Sequence, residues 1–175
     1  MKTMAVYGLK LGFVCLVATV LLATVNSITL PKIILQAQNE LEASLKEVLP
    51  QGEKFEAVRK QNEIIYYKVF DKEAKFLGAA FKVSAKGYSS TIETMVGMTK
   101  DGTINAIKVL NHNETPGLGS KIAEDPWFQE QFSNKKIPEL DSIQAITGAT
   151  ISSKAVIDSV TEKAKEIQTL IKDEK

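Results

Sequence analysis

Thr147-Gly148-Ala149-Thr150 stands just ahead of a long helical pattern, and its residue types suit the holding of a phosphate. Gly148 lets the backbone come close to a ligand because no Cβ stands in the way, and Ala149 is nearly as small. The segment after Thr150 reads as helix. Unpaired N–H groups and the positive end of a helix dipole would therefore meet whatever occupies the turn. Two hydroxyls flank the small residues; either can donate to a phosphate, and either can be esterified by one. The plainer reading of the same four residues is a turn with Thr150 as N-cap of the last helix.

A second polar loop lies upstream, His112-Asn113-Glu114-Thr115-Pro116-Gly117-Leu118-Gly119-Ser120-Lys121. Pro116-Gly117 suits the two central positions of a type II turn, since Pro presets the first φ and Gly supplies the positive second one. Gly119 again permits close backbone approach, and Glu114, Thr115, Ser120 and Lys121 surround the turn with hydrogen-bonding groups. Polar side chains this dense on two glycines point to a ligand loop, against the alternative of an ordinary strand-to-helix connection. His112, a lone histidine at a strand end, is given no role. No catalytic residue is assigned.

Composition narrows the chemistry. One cysteine, Cys15, excludes an intrachain disulfide and a cysteine-ligated iron–sulfur cluster, and one histidine excludes a multi-histidine metal site. No metal ligand is expected. Redox or catalytic power would then come from an organic cofactor. The net charge of +1 over 175 residues argues against a dedicated nucleic-acid surface.

The elements that must position these loops read as an α+β domain on a membrane anchor. No charged residue occurs from Leu11 to Pro31, a run bracketed by Lys10 and Lys32. As a helix it would span about 31 Å, the thickness of a bilayer's hydrocarbon core. A cleaved signal peptide is the rival, because Lys2 and Val25-Asn26-Ser27 also fit that pattern. The uncharged length favours an anchor over 1–32, with 33–175 as the domain. Lys2, Lys10 and the terminal amine put the N-terminus in the cytoplasm and the domain on the outer face. Cys15 reads as a small packing residue within the span.

Ile34, Ala37, Leu41, Leu45 and Val48 recur at helical spacing until Pro50-Gln51-Gly52, in a helix that can continue from the anchor with Pro31 as its kink. Ile64–Phe70 and Phe76–Val83 then form a hairpin, and Thr91–Met98 and Thr103–Leu110 a second one closed by Asp101-Gly102. An antiparallel sheet with helices packed on one face follows. Tyr88, in the loop between the hairpins, could touch a ligand or anchor its loop. Asp125 caps a short helix opened by Pro126, and Trp127, Phe128 and Phe132 are expected in the core, with Trp127 as a lesser option for stacking on a flavin. Val156, Val160, Ala164, Ile167 and Ile171 mark the terminal helix.

With both loops and the anchor in place, the chain resembles the FMN-binding subunits of membrane redox pumps. These are the G subunit of the Rnf ferredoxin:NAD⁺ oxidoreductase and the C subunit of the sodium-translocating NADH:quinone reductase. The resemblance covers the whole length and is carried by Glu114-Thr115-Pro116-Gly117-Leu118-Gly119 and Thr147-Gly148-Ala149-Thr150. It implies FMN held by a phosphoester on Thr150, with Thr147, Gly148, Ala149, Glu114, Thr115, Leu118, Gly119 and Lys121 around it. It also implies a separate flavin transferase for maturation and other membrane subunits as partners. The chain would carry electrons and would not be catalytic alone. The sequence departs from the family at Gln144, where an Asp commonly stands. The Rnf type fits the short chain and compact connection better; the C-type subunit, a tethered sensor holding FMN reversibly, and a purely structural subunit are the alternatives. No Asp, Glu, Lys, Arg or His lies between Lys10 and Lys32, so any ion path is expected to belong to other subunits.

Overall fold

A computed structural model of the chain describes residues 2–61 and 63–173. The chain divides into two compact units, Met1–Glu42 and Ala43–Lys175. A single helix, α1 (Lys2–Val48), makes up the first and ends in the second, running unbroken through Pro31. The anchor and the following amphipathic segment are thus one helix. Among the described residues one helix, Val6–Val48, is long and apolar enough to cross a membrane. Three of its hydroxyls are satisfied within the helix: Thr19, Thr24 and Thr29 donate to the carbonyls of Cys15, Val20 and Val25 at 2.8, 2.8 and 2.9 Å. Such back-bonding spares a hydroxyl the cost of standing unpaired in hydrocarbon.

The second unit is built on a six-stranded antiparallel meander in sequence order: β1 (Lys54–Lys60), β2 (Glu63–Phe70), β3 (Phe76–Lys86), β4 (Thr91–Thr99), β5 (Thr103–Asn111) and β6 (Lys135–Lys136). The two expected hairpins are present, β2–β3 and β4–β5. Gly102, at φ +85°, donates its N–H to the Thr99 carbonyl at the second turn. Strands β1 and β6 have little buried surface to announce them in sequence. In β1 only Phe55 and Val58 are half-buried, and its charged residues suit an edge.

One sheet face carries the main core. Ala79, Phe81 and Val83 of β3, with Ile92, Val96 and Met98 of β4, pack with Val156, Val160, Ala164 and Ile167 of α4 (Thr150–Asp173). Residues of opposite parity, Ala80 and Met95, are buried on the other face, where the end of α1 contributes Leu45 and Val48. The register of β4 against β5 skips Asn105, which bulges. Its side-chain amide donates to the Val48 carbonyl at 2.7 Å and so satisfies an acceptor that a helix end leaves open. Lys108 pairs with Glu47 alongside, at 2.9 Å.

Gly97 makes this junction possible. A Cβ there would lie 2.4 Å from the Val48 carbonyl oxygen and 2.8 Å from its carbon. Backbone cannot swing aside as a side-chain tip can, so Gly97→Ala is expected to destabilise the domain by about 3 kcal/mol. Guanidinium unfolding followed by circular dichroism should show the midpoint fall at unchanged slope.

Candidate functional site

Three segments converge at the start of α4. The first is the β3–β4 turn, closed by the Gly87 N–H on the Ser90 carbonyl at 2.8 Å. The second is the loop after β5. There Gly117 has φ +72°, and the Leu118 N–H reaches the Thr115 carbonyl at 3.1 Å, as the type II turn requires. The buried Ser120 hydroxyl accepts from the Gly117 N–H at 2.9 Å and fixes that turn from within. The third is the approach to α4, where Gly148 takes φ +82° and the Ala149 N–H bonds the Ile146 carbonyl. A Cβ on Gly148 would meet only Leu118 Cδ2, at 3.6 Å, so the positive φ is what selects glycine there.

Glu114 ties the three together. It is 5% exposed. Oε1 accepts from the N–H groups of Ser89 and Ser90 at 3.0 and 2.9 Å and from the Ser90 hydroxyl at 3.3 Å. Oε2 accepts from the Ser152 hydroxyl at 2.6 Å. Gly87 and Gly119 press on it: a Cβ at either would come within 2.6 and 2.5 Å of its oxygens. Gly119 is therefore small for Glu114's sake, a use that the sequence does not separate from approach to a ligand. Burial alone would raise the Glu114 pKa. The hydrogen bonds from Ser152, Ser90 and Ser89 outweigh it and hold the carboxyl below the ordinary value. Glu114 is therefore an anion.

Thr150 is the first residue of α4 and is exposed, and its hydroxyl has no hydrogen-bond partner among the described residues. It does not cap the helix; Ala149 precedes the first turn, and that plainer reading fails. Nor do the N–H groups of Thr150, Ile151 and Ser152 have acceptors among the described residues; the first paired one is Ser153, which bonds the Ala149 carbonyl at 2.9 Å. Above them opens a cleft of about 330 Å³, lined by Tyr88 from the first segment, Glu114, Thr115, Leu118 and Gly119 from the second, and Gly148 to Ser152 from the third. That volume is at the lower end of the ~300–1,000 Å³ range of ligand sites. A free hydroxyl, three free N–H groups and a helix dipole at one end of an open cleft fit a phosphate-bearing cofactor.

Comparison with known proteins agrees with this geometry. The family model of the FMN-binding domain matches residues 87–165, which hold all three converging segments, and that of the RnfG N-terminal region matches residues 1–48. The chain is 32% identical over 91% of its length, and 89% of the relative's, to the G subunit of the proton-translocating ferredoxin:NAD(+) oxidoreductase complex of Clostridium ljungdahlii. It is 35% identical over 82% of its length, and 84% of the relative's, to the G subunit of the ion-translocating oxidoreductase complex of Methanosarcina acetivorans. The chain belongs to the family of G subunits of ion-translocating oxidoreductase complexes. Among solved structures it is similar to Shewanella oneidensis NqrC, with a TM-score of 0.48 and 19% identity over 70% of this chain and 74% of that one.

In this G subunit, seven of the nine residues expected around the cofactor line the cleft. Thr147 and Lys121 do not; both are exposed, and in α2 (Lys121–Glu124) Ile122 takes the core position beside Lys121. Tyr88 does line it, 70% exposed. Ile151 and Ser152 join the lining beyond the residues expected from sequence. A signal for Ser152 exists: it begins the buried stripe continued by Val156, Val160 and Ala164, and a polar residue on such a stripe has to find a partner. His112 accepts the Glu114 N–H through Nδ1 at 3.3 Å, which gives it an ordinary structural place.

Trp127 is a correction. It is 46% exposed and lies neither in the core nor in the cleft lining. Its helix, α3 (Pro126–Glu130), is capped by Asp125, whose carboxylate accepts the Trp127 N–H at 3.0 Å as expected. With so short a helix, the inward positions go to Phe128 and to Phe132 just beyond it. Their rings meet edge to face at 5.6 Å, and the neighbour of Phe128 is turned outward. Gln144 presents its backbone to the Gln131 amide, with bonds of 2.9 and 3.1 Å, and leaves its own side chain exposed.

Proposed function

We propose that the chain is the electron-carrying subunit of a membrane-bound, ion-translocating ferredoxin:NAD⁺ oxidoreductase complex, with FMN joined to the Thr150 hydroxyl oxygen through its phosphorus. The observation that carries the reading is that hydroxyl, exposed and unpaired at the head of a 24-residue helix, on the cleft of an FMN-binding domain. FMN supplies the redox chemistry by accepting and passing on electrons. The residues of this chain hold it in place. Gly148 and Ala149 let the backbone approach, and the N–H groups of Thr150 to Ser152 would donate to the phosphate oxygens. Thr115, Leu118, Gly119 and Tyr88 form the opposite wall.

The anchor over 1–32 holds the domain, 33–175, at the outer face of the cell membrane with the N-terminus in the cytoplasm, in keeping with Lys2 and Lys10. Away from a cytoplasmic FMN pool, an ester prevents loss by dissociation. A separate flavin transferase makes the bond, and neighbouring membrane subunits give and take the electrons. Intact-protein mass measurement of the chain made together with its transferase is expected to give the polypeptide plus one flavin phosphate group. An unmodified mass would reject the ester, and flavin that leaves on denaturation would indicate a reversible carrier instead.

A further inference from the structure

The cleft at the start of α4 is furnished for an anion with neutral donors, and it already contains an anion of the protein's own. Among the described residues, three backbone N–H groups stand free there at the positive end of the helix. Among the described residues, the charged side chain in the lining is Glu114, and no lysine or arginine accompanies it. The lysines nearest in sequence to the lining, Lys86, Lys121 and Lys154, are exposed and outside it. The Ser152 hydroxyl, which could otherwise donate to a phosphate, donates its hydrogen bond to Glu114 Oε2 at 2.6 Å.

Neutral donors and the roughly half charge of a helix end can compensate one negative charge. A second would need a cation, and here it would face the buried carboxylate through protein, where charges interact more strongly than in water. A phosphate monoester carries about −1.5 to −2 near neutral pH, whereas a phosphodiester carries one charge. We propose that Glu114 makes the cleft select a singly charged flavin phosphodiester and disfavour the doubly charged phosphate monoester of the same flavin. This rests on the flavin reading above and extends it. The cofactor suits the site once it is esterified to Thr150. The unattached form is a poor ligand, and retention depends on the bond.

The test uses the full chain in detergent with Thr150→Val, which has no hydroxyl to esterify, titrated at a pH of about 8, where the monoester is doubly charged. The ligands are riboflavin, riboflavin 5′-methyl phosphate and FMN, bearing none, one and two charges. The diester is expected to bind about tenfold tighter than FMN, and FMN no tighter than riboflavin. Adding Glu114→Gln should tighten FMN about tenfold and leave riboflavin within about twofold. FMN binding as tightly as the diester would overturn the proposal, as would a Glu114→Gln chain that binds riboflavin normally and gains nothing for FMN. Should that second variant fail to fold, losing riboflavin as well, the order of the three ligands on the Thr150→Val chain decides alone. If none of them binds while the unmutated chain carries esterified flavin, the selection is overturned and the flavin reading stands. If the unmutated chain carries no flavin either, both fall.

Discussion

Replacing Thr150 by alanine is expected to abolish covalent flavin while leaving the domain folded. In the proposed linkage this hydroxyl is the ester oxygen, so its removal leaves no atom for phosphorus to join, and the loss should be complete. The fold should not notice, because Thr150 is exposed and its side chain donates to nothing among the described residues. Alanine is also the best helix former, and surface changes of this kind stay within about 0.5 kcal/mol. On a denaturing gel the wild-type band, matured with its transferase, should fluoresce and the Thr150→Ala band should be dark, with coincident melting curves. Thr150→Ser keeps an oxygen at the same place and should keep the flavin. Thr147→Ala should remain bright, since Thr147 lies outside the cleft lining. A bright Thr150→Ala band would move the ester to another hydroxyl and remove the basis of the proposed function.

What is legible in the sequence divides by periodicity. The strands of the two central hairpins and α4 carry a regular apolar pattern, and the structure has them close to where the pattern predicts, from Thr91 and Thr103 and to the helix start at Thr150. The edges do not. Strand β1 pairs on one side only and buries little, and β6 is two residues long, so neither leaves a pattern of alternation. The turns of the site are legible because Pro116-Gly117 and Gly148 carry their φ requirements on their faces. Glu114 is legible as a polar residue near a ligand but not as the tie between three segments. Its partners Ser89, Ser90 and Ser152 lie 25, 24 and 38 residues away, and such distances leave no trace in local pattern. Trp127 misleads because size suggests burial, whereas a five-residue helix can turn only part of its aromatic run inward.

Glu114 is the other position where a single change should have a large effect, and two substitutions separate its roles. Glu114→Ala deletes the acceptor of two backbone N–H groups and two hydroxyls at once. Hydrogen bonds to a charged group contribute about 1.5–3 kcal/mol each and do not add fully; the loss should be on the order of 3 kcal/mol, with the Ser89-Ser90 turn coming away from α4. Glu114→Gln keeps the volume and one acceptor oxygen. The Ser152 hydroxyl can reverse and accept from the new amide, so about 1 kcal/mol is expected. Acid distinguishes the two. Because the folded-state pKa of Glu114 is depressed below the ordinary 4.5, the ionised carboxylate contributes stability that is whole above that value. That contribution is lost as pH falls through the lower, folded-state value. Denaturant titrations from a pH of about 6 down to about 3 should therefore show the wild type converging on Glu114→Gln, while Glu114→Ala stays below both. A gap between wild type and Glu114→Gln that is unchanged or widens in acid would show that the carboxylate's charge does not hold the three segments together.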